Sequence, residues 1–292
     1  MIDQFLNYLR YEKNRSELTV KRYGDSLMDF QKYFEGLEGG LTWASLDADV
    51  VRSWMESLME RGNIASTVNT GLSALKSFYR FVLSRGLVDH DPAHMVKGPK
   101  KRKPLPQFVK ESELNELLDQ TEWSDTYIDV RARTIIITLY EAGLRRSELV
   151  GLDDKDVDLT AMQLKVTGKR NKQRVIPFGK ELAEQLSLYK TSRDEHIQKR
   201  SDAFFLGTRG DRITANEVYK TVRSCLSMVT TLKKKSPHVL RHSFATALLN
   251  HNAGLESVRQ LLGHESLETT EIYTHTTFEQ LKRVYDESHP RG

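Results

Sequence analysis

Apolar residues recur at intervals of three and four through most of the first hundred residues, which is the spacing of one face of an α-helix. The spacing predicts four helices, whose apolar stripes begin at Ile2, Val20, Val51 and Val68. Ser16 and Ser66 precede the second and fourth stripes and are predicted to cap those helices. The first part of the chain is therefore expected to form a small helical bundle.

The pattern changes in the second part of the chain. Apolar and polar residues alternate in 162–166 and 174–178, which indicates two strands joined by a turn over 168–172. Helical spacing predicts further helices near 111–119, 126–142, 180–197, 214–228, 238–251, 255–262, 267–274 and 277–287. The predicted fold class is mainly α with a small β-sheet.

A basic, proline-containing segment, residues 97–106, separates the two patterns. Its prolines prevent a continuous helix, so we predict a boundary here between domains 1–103 and 104–292. Taken alone, the segment is typical of a solvated linker. A basic extended strap between two domains would also suit a protein that encircles a DNA duplex.

Composition narrows the protein class without identifying a function. The 292 residues are 38% hydrophobic and 29% charged, which is typical of a globular protein with two cores. A net charge of +4 is compatible with a nucleic-acid partner, although many other proteins share it. The single Cys225 excludes an intramolecular disulfide, and no basic-then-apolar leader or membrane-length apolar run occurs. The cytoplasm is the expected compartment, with no membrane partner.

Basic and imidazole residues recur at the edges of the predicted elements of the second domain, together with one tyrosine. This candidate set comprises Arg145, Lys169, His238, Arg241, His264 and Tyr273. Each residue alone has a plainer interpretation as a surface cation, a capping residue or a packing aromatic. Together, five cationic or imidazole donors and one phenol form the set needed to break a phosphodiester by direct attack.

The segments that carry these residues resemble the tyrosine recombinase (phage integrase) family, and within it the Xer recombinases of bacterial chromosomes. The segments are Gly143-Leu-Arg-Arg-Ser-Glu-Leu149, the turn lysine after Gly168, His238-Val-Leu-Arg241, Leu261-Leu-Gly-His264, and a tyrosine nine residues later. The resemblance extends over nearly the whole chain, including the helical first domain and the basic joint. It implies a SAM-like core-binding domain and a mixed catalytic domain that form a clamp around DNA.

The resemblance also implies a role for each candidate residue. Arg145 and Arg241 would hold the nonbridging oxygens of the scissile phosphate, and His264 would donate to it as well. Lys169 would act as the general acid for the 5′ oxygen, and His238 as the proton partner of the Tyr273 nucleophile. We interpret Glu148 as structural, either orienting Arg145 or capping its helix.

The implied reaction is DNA strand exchange through a 3′-phosphotyrosyl intermediate, without a metal or a nucleotide cofactor. The implied partners are double-stranded DNA, a homo- or hetero-tetramer with a possible paralogous Xer subunit, and a DNA translocase as activator. The C-terminal stripe of Phe278, Leu281 and Tyr285 is expected to dock onto a neighbouring subunit, the alternative being packing on its own domain.

Three alternatives share part of this pattern. A mobile-element integrase would use identical chemistry, but such enzymes often carry an additional arm-binding domain before the helical one. A type IB topoisomerase would form the same phosphotyrosine without exchanging strands, and a catalytically silent regulator would need neither Lys169 nor Tyr273. Because the chain begins almost at once with its helical domain, we favour chromosome dimer resolution at a dif-like site.

Overall fold

The computed structural model describes residues 1–100, 107–168, 172–263 and 278–291. The chain divides into two compact units, Met1–Pro104 and Leu105–Gly292. Helices make up most of both units, and the strands among the described residues form one small sheet in the second unit. The predicted fold class, mainly α with a small β-sheet, is confirmed.

Within residues 1–100, the first unit consists of four helices, α1 Ile2–Asn7, α2 Glu17–Glu35, α3 Ala48–Glu60 and α4 Ala65–Ser84, with a π-helical turn after α1. Ser16 caps α2 as predicted, since its side chain accepts a hydrogen bond from the Thr19 N–H at 3.3 Å. The predicted cap Ser66 is wrong. Ile64 occupies the N-cap position of α4, so Ser66 lies inside the first turn.

Aromatic side chains fill the core of the first unit. Phe5 and Phe78 meet edge to face with ring centroids 5.6 Å apart, and Trp43 lies 4.5 Å from Phe78. Gly71 of α4 lies directly against Trp54 of α3, because a Cβ at this position would come within 2.8 Å of the indole ring. Dense packing of this kind fixes how the two helices approach one another.

The described helices of the second unit are α5 Glu111–Asn115, α6 Tyr127–Glu141, α7 Arg146–Gly151, α8 Lys180–His196, α9 Ala215–Val229, α10 Pro237–Asn250, α11 Leu255–Leu262 and α12 Phe278–Ser288. A π-helical turn, Glu116–Gln120, continues α5. The predicted helices that fall on these residues are confirmed, and the helix predicted near 267–274 lies outside the described residues. Helix α7 was not predicted, because six residues are too few to show a helical stripe.

The sheet has the order β1 Val157–Asp158, β2 Gln163–Thr167 and β3 Gln173–Pro177, with both pairs antiparallel. Leu164 pairs with Ile176, and both side chains are buried in the core of the second unit. The two predicted strands are confirmed. Strand β1 was missed because two residues cannot display an alternating pattern.

Helix α6 is the central helix of the second unit. Nearly every residue from Val130 to Glu141 is buried, because α8, α9 and α10 pack around it. Because neighbours cover all of its faces, even the polar side chains of Arg131, Thr134 and Thr138 are buried. The described part of the chain contains no helix with the length and apolar character that a membrane crossing requires.

Helix α12 and the residues after it fold against the rest of the second unit. Tyr285 is fully buried, and its ring stacks on His289 with centroids 4.9 Å apart. Its hydroxyl donates to Glu141 Oε2 at 3.4 Å. Tyr285 therefore packs on its own unit in this structure, which is the alternative to docking onto a neighbouring subunit. The side chains of Phe278 and Leu281 lie outside the described residues.

Candidate active site

Arg145, His238 and Arg241 are the candidate site residues within the described part of the chain. The other candidates, which lie outside the described residues, are Lys169, His264 and Tyr273. The structure does describe Gly168 and Gly263, which immediately precede Lys169 and His264 in the sequence. It therefore shows the framework around the candidate site and the two arginines within it.

Arg145 lies where the chain turns from α6 into α7. Gly143 in this turn has a φ of 57°, and a Cβ there would come within 2.4 Å of the Phe244 ring, so the position requires glycine. Arg145 occupies the N-cap of α7, and its backbone N–H donates to Glu148 Oε2 at 2.8 Å. Arg145 Nη1 donates to the other oxygen at 2.7 Å. The interpretation of Glu148 as a residue that orients Arg145 and caps its helix is confirmed.

The Glu148 carboxylate is buried and lies among three guanidinium groups. Arg174 donates to both of its oxygens at 2.7 and 3.0 Å, and Arg241 Nη1 lies 3.8 Å from Oε2. Burial by itself raises the pKa of Glu148, but the hydrogen bonds from Arg174 and Arg145 outweigh that effect and lower the pKa to about 2. Glu148 is therefore ionised at neutral pH and draws the arginines together.

The same three arginines also hold the C-terminal end of α11. Their partners are three successive backbone carbonyls: Arg174 Nε donates to Leu261 and Arg145 Nη2 to Gly263, both at 3.0 Å, and Arg241 Nη2 donates to Leu262. The last carbonyls of a helix lack partners within the helix and carry partial negative charge, so cations are favoured there. Gly263, with a φ of 60°, turns the chain away in the left-handed conformation.

Arg241 is the more deeply buried member of the arginine pair. It lies on α10, with 6% of its surface exposed, and its Nη1 donates to the Gly143 carbonyl at 2.6 Å. Burial and the positive charge of Arg145 lower the pKa of Arg241, but an arginine starts from so high a value that it stays charged at neutral pH. Buried cations in such a setting favour an anionic ligand.

His238 lies in the first turn of α10, one turn before Arg241, and its side chain is exposed. Partial desolvation and the nearby cations Lys234, Arg146 and Arg241 lower the pKa of His238 below its usual value. The imidazole is therefore neutral at neutral pH and can accept a proton.

The framework brings together Arg145 and Arg241, as the motifs predicted, and adds Arg174, which no motif predicted. Two arginines each offer five N–H donors, so bonds to protein carbonyls and to Glu148 leave further donors for a phosphate. Arg174 follows the hairpin turn by two residues, and a cation at such a position is usually solvated. Only its contact with a distant buried glutamate distinguishes it from a surface residue. Within the described ranges, no group of three or more His, Cys, Asp or Glu side chains could hold a metal ion.

Comparison with known families agrees with this geometry. Residues 107–280 match the phage integrase family, and residues 2–86 match the phage integrase, N-terminal SAM-like domain. The chain belongs to the phage integrase family. The first match contains all six candidate site residues, and the second lies within the helical first unit.

Two relatives match this chain along its whole length. A protein named tyrosine recombinase XerC from Pelotomaculum thermopropionicum is 38% identical over 301 residues, which cover 100% of this chain and 98% of the relative. A protein of the same name from Vibrio vulnificus is 37% identical over 291 residues, which cover 100% of this chain and 91% of the relative.

Solved structures show the same fold as this phage integrase family member. The XerH site-specific recombinase bound to a palindromic difH substrate, in a post-cleavage complex, has a TM-score of 0.73 and 24% identity. The alignment covers 97% of this chain and 83% of that one. The Tn1549 transposon integrase bound to transposon right-end DNA has a TM-score of 0.71 and 18% identity, with 98% of both chains covered.

Proposed function

We propose that this chain is a site-specific tyrosine recombinase, which cuts and rejoins DNA through a 3′-phosphotyrosyl intermediate. The observation that carries the proposal is the pair of guanidinium groups, Arg145 and Arg241, gathered on the buried Glu148. Family membership and full-length relatives named tyrosine recombinase XerC support the same activity.

The arginine pair suits the charge that develops on phosphorus during the reaction. Attack on a phosphodiester produces a pentavalent phosphorane with excess negative charge on its nonbridging oxygens. Arg145 and Arg241 would each donate to these oxygens. Glu148, the Gly143 carbonyl and the carbonyls at the end of α11 hold the two side chains before DNA arrives. Donors that are already oriented need little reorganisation, and loss of one such donor costs about 10²–10³ in rate in comparable enzymes.

The remaining roles are assigned on the family pattern. The Tyr273 hydroxyl attacks phosphorus, the bond from phosphorus to the 5′ oxygen breaks, and Lys169 supplies the proton that this oxygen takes. His238 accepts the tyrosine proton, which its lowered pKa supports because the ring is neutral at neutral pH. His264 donates an additional hydrogen bond to the phosphate. Attack by a 5′ hydroxyl from another strand then reverses the step.

This scheme conserves one phosphodiester as a phosphotyrosine, so it requires no nucleotide cofactor. We propose that it requires no metal either, because the arginines supply the charge stabilisation that a metal ion would otherwise give. An unperturbed tyrosine has a pKa of about 10, so cations and His238 must activate Tyr273 as a nucleophile.

We assign residues 1–103 to a core-binding domain that contacts DNA and residues 104–292 to the catalytic domain. The proposed partners are double-stranded DNA, a homo-tetramer of this recombinase or a hetero-tetramer with a paralogous Xer protein, and a DNA translocase as activator. The names of the relatives support resolution of chromosome dimers at a dif-like site, in the cytoplasm where the chromosome lies.

Covalent capture tests the activity. The protein is incubated in EDTA with a nicked duplex that carries the dimer-resolution site of its host, and adducts are separated on a denaturing gel. Wild type and the matched control Tyr219→Phe should yield a protein–DNA adduct, whereas Tyr273→Phe should yield none. Strand exchange with a second site would distinguish a recombinase from a topoisomerase. Tight DNA binding without any adduct would contradict the proposal and indicate a silent regulator.

A further inference from the structure

Arg174 has no assigned role in the scheme above, yet its side chain joins three separate parts of the candidate site. It lies on β3 with 16% of its side chain exposed. Its two terminal nitrogens donate to the two oxygens of Glu148 at 2.7 and 3.0 Å, and Nε donates to the Leu261 carbonyl at 3.0 Å. This geometry uses the planar fork of a guanidinium, which a lysine ammonium cannot reproduce.

The Arg174 side chain also lies near the glycines that precede Lys169 and His264 in the sequence. A Cβ on Gly263 would lie 3.1 Å from both Cδ and Nη1 of Arg174. A Cβ on Gly168 would lie 3.8 Å from Glu148 Oε1 and 4.0 Å from Arg174 Nη1. The guanidinium therefore lies between the residue that leads to Lys169 and the residue that leads to His264.

The partners of Arg174 are also partners, or neighbours of the partners, of Arg145 and Arg241. Glu148 accepts hydrogen bonds from Arg174 on both oxygens and from Arg145 on the same two oxygens, so Arg174 restricts the carboxylate that orients Arg145. The Leu261 carbonyl that it holds is adjacent to the Leu262 carbonyl that Arg241 holds. Loss of Arg174 would leave Glu148 and the end of α11 free to shift. Arg145 and Arg241 would then shift with them.

We propose that Arg174 is a positioning residue for DNA cleavage, which acts through Glu148 and the α11 carbonyls on Arg145 and Arg241. The proposal rests on the tyrosine recombinase function. Arg174 does not itself stabilise the reacting phosphate; it keeps the two arginines at the distance that the phosphorane needs. A displacement of about 1 Å at a catalytic group can cost about 10² in rate, so the effect should be large.

The test compares cleavage of two substrates by full-length variants. Arg174→Met removes the fork but keeps much of the side-chain volume, and Arg174→Lys restores the charge without the fork. Single-turnover cleavage is measured at saturating protein on a nicked duplex with a natural scissile phosphate. It is then measured on the same duplex with a neutral methylphosphonate, which has lost one of the charged oxygens that the arginines stabilise.

Arg174→Met is expected to cleave the natural phosphate about 10²-fold more slowly than wild type, with DNA affinity changed by less than about threefold. On the methylphosphonate the difference between variant and wild type should fall below about tenfold, because a neutral phosphorus centre depends less on the clamp. Arg174→Lys should cleave the natural phosphate at a rate between those of Arg174→Met and wild type. Lys169→Ala, which removes a proton donor, should remain slow on both substrates.

Arg133→Met is the matched control, since Arg133 is also a partly buried arginine of the second unit and binds the Leu118 carbonyl. It should cleave at the wild-type rate. A wild-type rate for Arg174→Met would overturn the proposal. Equal slowing of Arg174→Met on both substrates would also overturn it, because a general loss of structure does not depend on phosphate charge. If wild type forms no Tyr273-dependent adduct, the recombinase function fails, and the role of Arg174 with it.

Discussion

Replacement of Glu148 by glutamine should lower the unfolding free energy of the second unit more than the loss of a surface charge would. The variant keeps the shape of the side chain but removes the negative charge that three arginines surround. In the folded protein the pKa of Glu148 falls from 4.5 to about 2, so the environment favours the charged form by about 3 kcal/mol. The side chain is 2% exposed, so solvent screens little of this energy.

We therefore expect Glu148→Gln to lower the free energy of unfolding by about 3 kcal/mol at pH 7, since removal of one partner leaves buried cations uncompensated. Hydrogen exchange of the buried α6 amides in the full-length chain measures this quantity within the second unit. Exchange should become about 10²-fold faster in the variant.

The pH dependence provides an independent check. Because the folded pKa is depressed, the contribution of Glu148 is complete above pH 4.5 and is lost as the pH falls toward 2. The difference between wild type and variant should shrink over that range. A loss below about 1 kcal/mol at pH 7, or a difference that stays constant between pH 4.5 and 2, would refute the reasoning. Asp158→Asn, at an exposed carboxylate of the same unit, serves as the control.

Three further predictions concern other parts of the molecule. Burial of His289 lowers its pKa from 6.5 to about 3. Its contribution to stability is therefore complete above pH 6.5 and is lost as the pH falls. In urea unfolding, wild type should lose about 2 kcal/mol of stability relative to His289→Phe between pH 7 and pH 5. Gly143→Ala should abolish cleavage and destabilise the second unit by at least about 2 kcal/mol, since the position has positive φ and contacts Phe244; normal cleavage and melting would contradict this. DNA affinity, measured by fluorescence anisotropy, should fall by about 10³-fold or more between 50 and 200 mM salt because basic side chains neutralise phosphates, and a flat profile would contradict this.

Much of the fold could be predicted from local patterns because the interactions that form helices are local. Each helical hydrogen bond joins residues four positions apart, so an apolar stripe and a cap such as Ser16 describe most of a helix. The misses are short elements or ends. Helix α7 and strand β1 contain too few residues for a period to appear, and α4 begins before its best capping residue, Ser66.

Only the candidate site residues that lie within the motifs were predicted from the sequence. The Gly143–Leu149 motif identified Arg145 and the role of Glu148, and the His-x-x-Arg motif identified His238 and Arg241. Nothing in the sequence near Arg174 distinguished it from a solvated residue at a hairpin. The apolar pattern around Tyr285 was compatible both with docking onto a neighbouring subunit and with packing on its own domain. All six catalytic assignments stay predictions. The structure shows where Arg145, His238 and Arg241 lie, whereas Lys169, His264 and Tyr273 lie outside the described residues.

The sequence by itself determined the order and type of the main elements and predicted the residues of a reactive set. The tertiary structure decided which residues support that set. Arg174 lies 26 positions from Glu148, and Arg145 lies 118 positions from Gly263, so no short pattern relates them. These bonds form only after the helices and the sheet have packed, because a buried carboxylate and the open end of α11 must then be neutralised by whichever cations the fold has brought near.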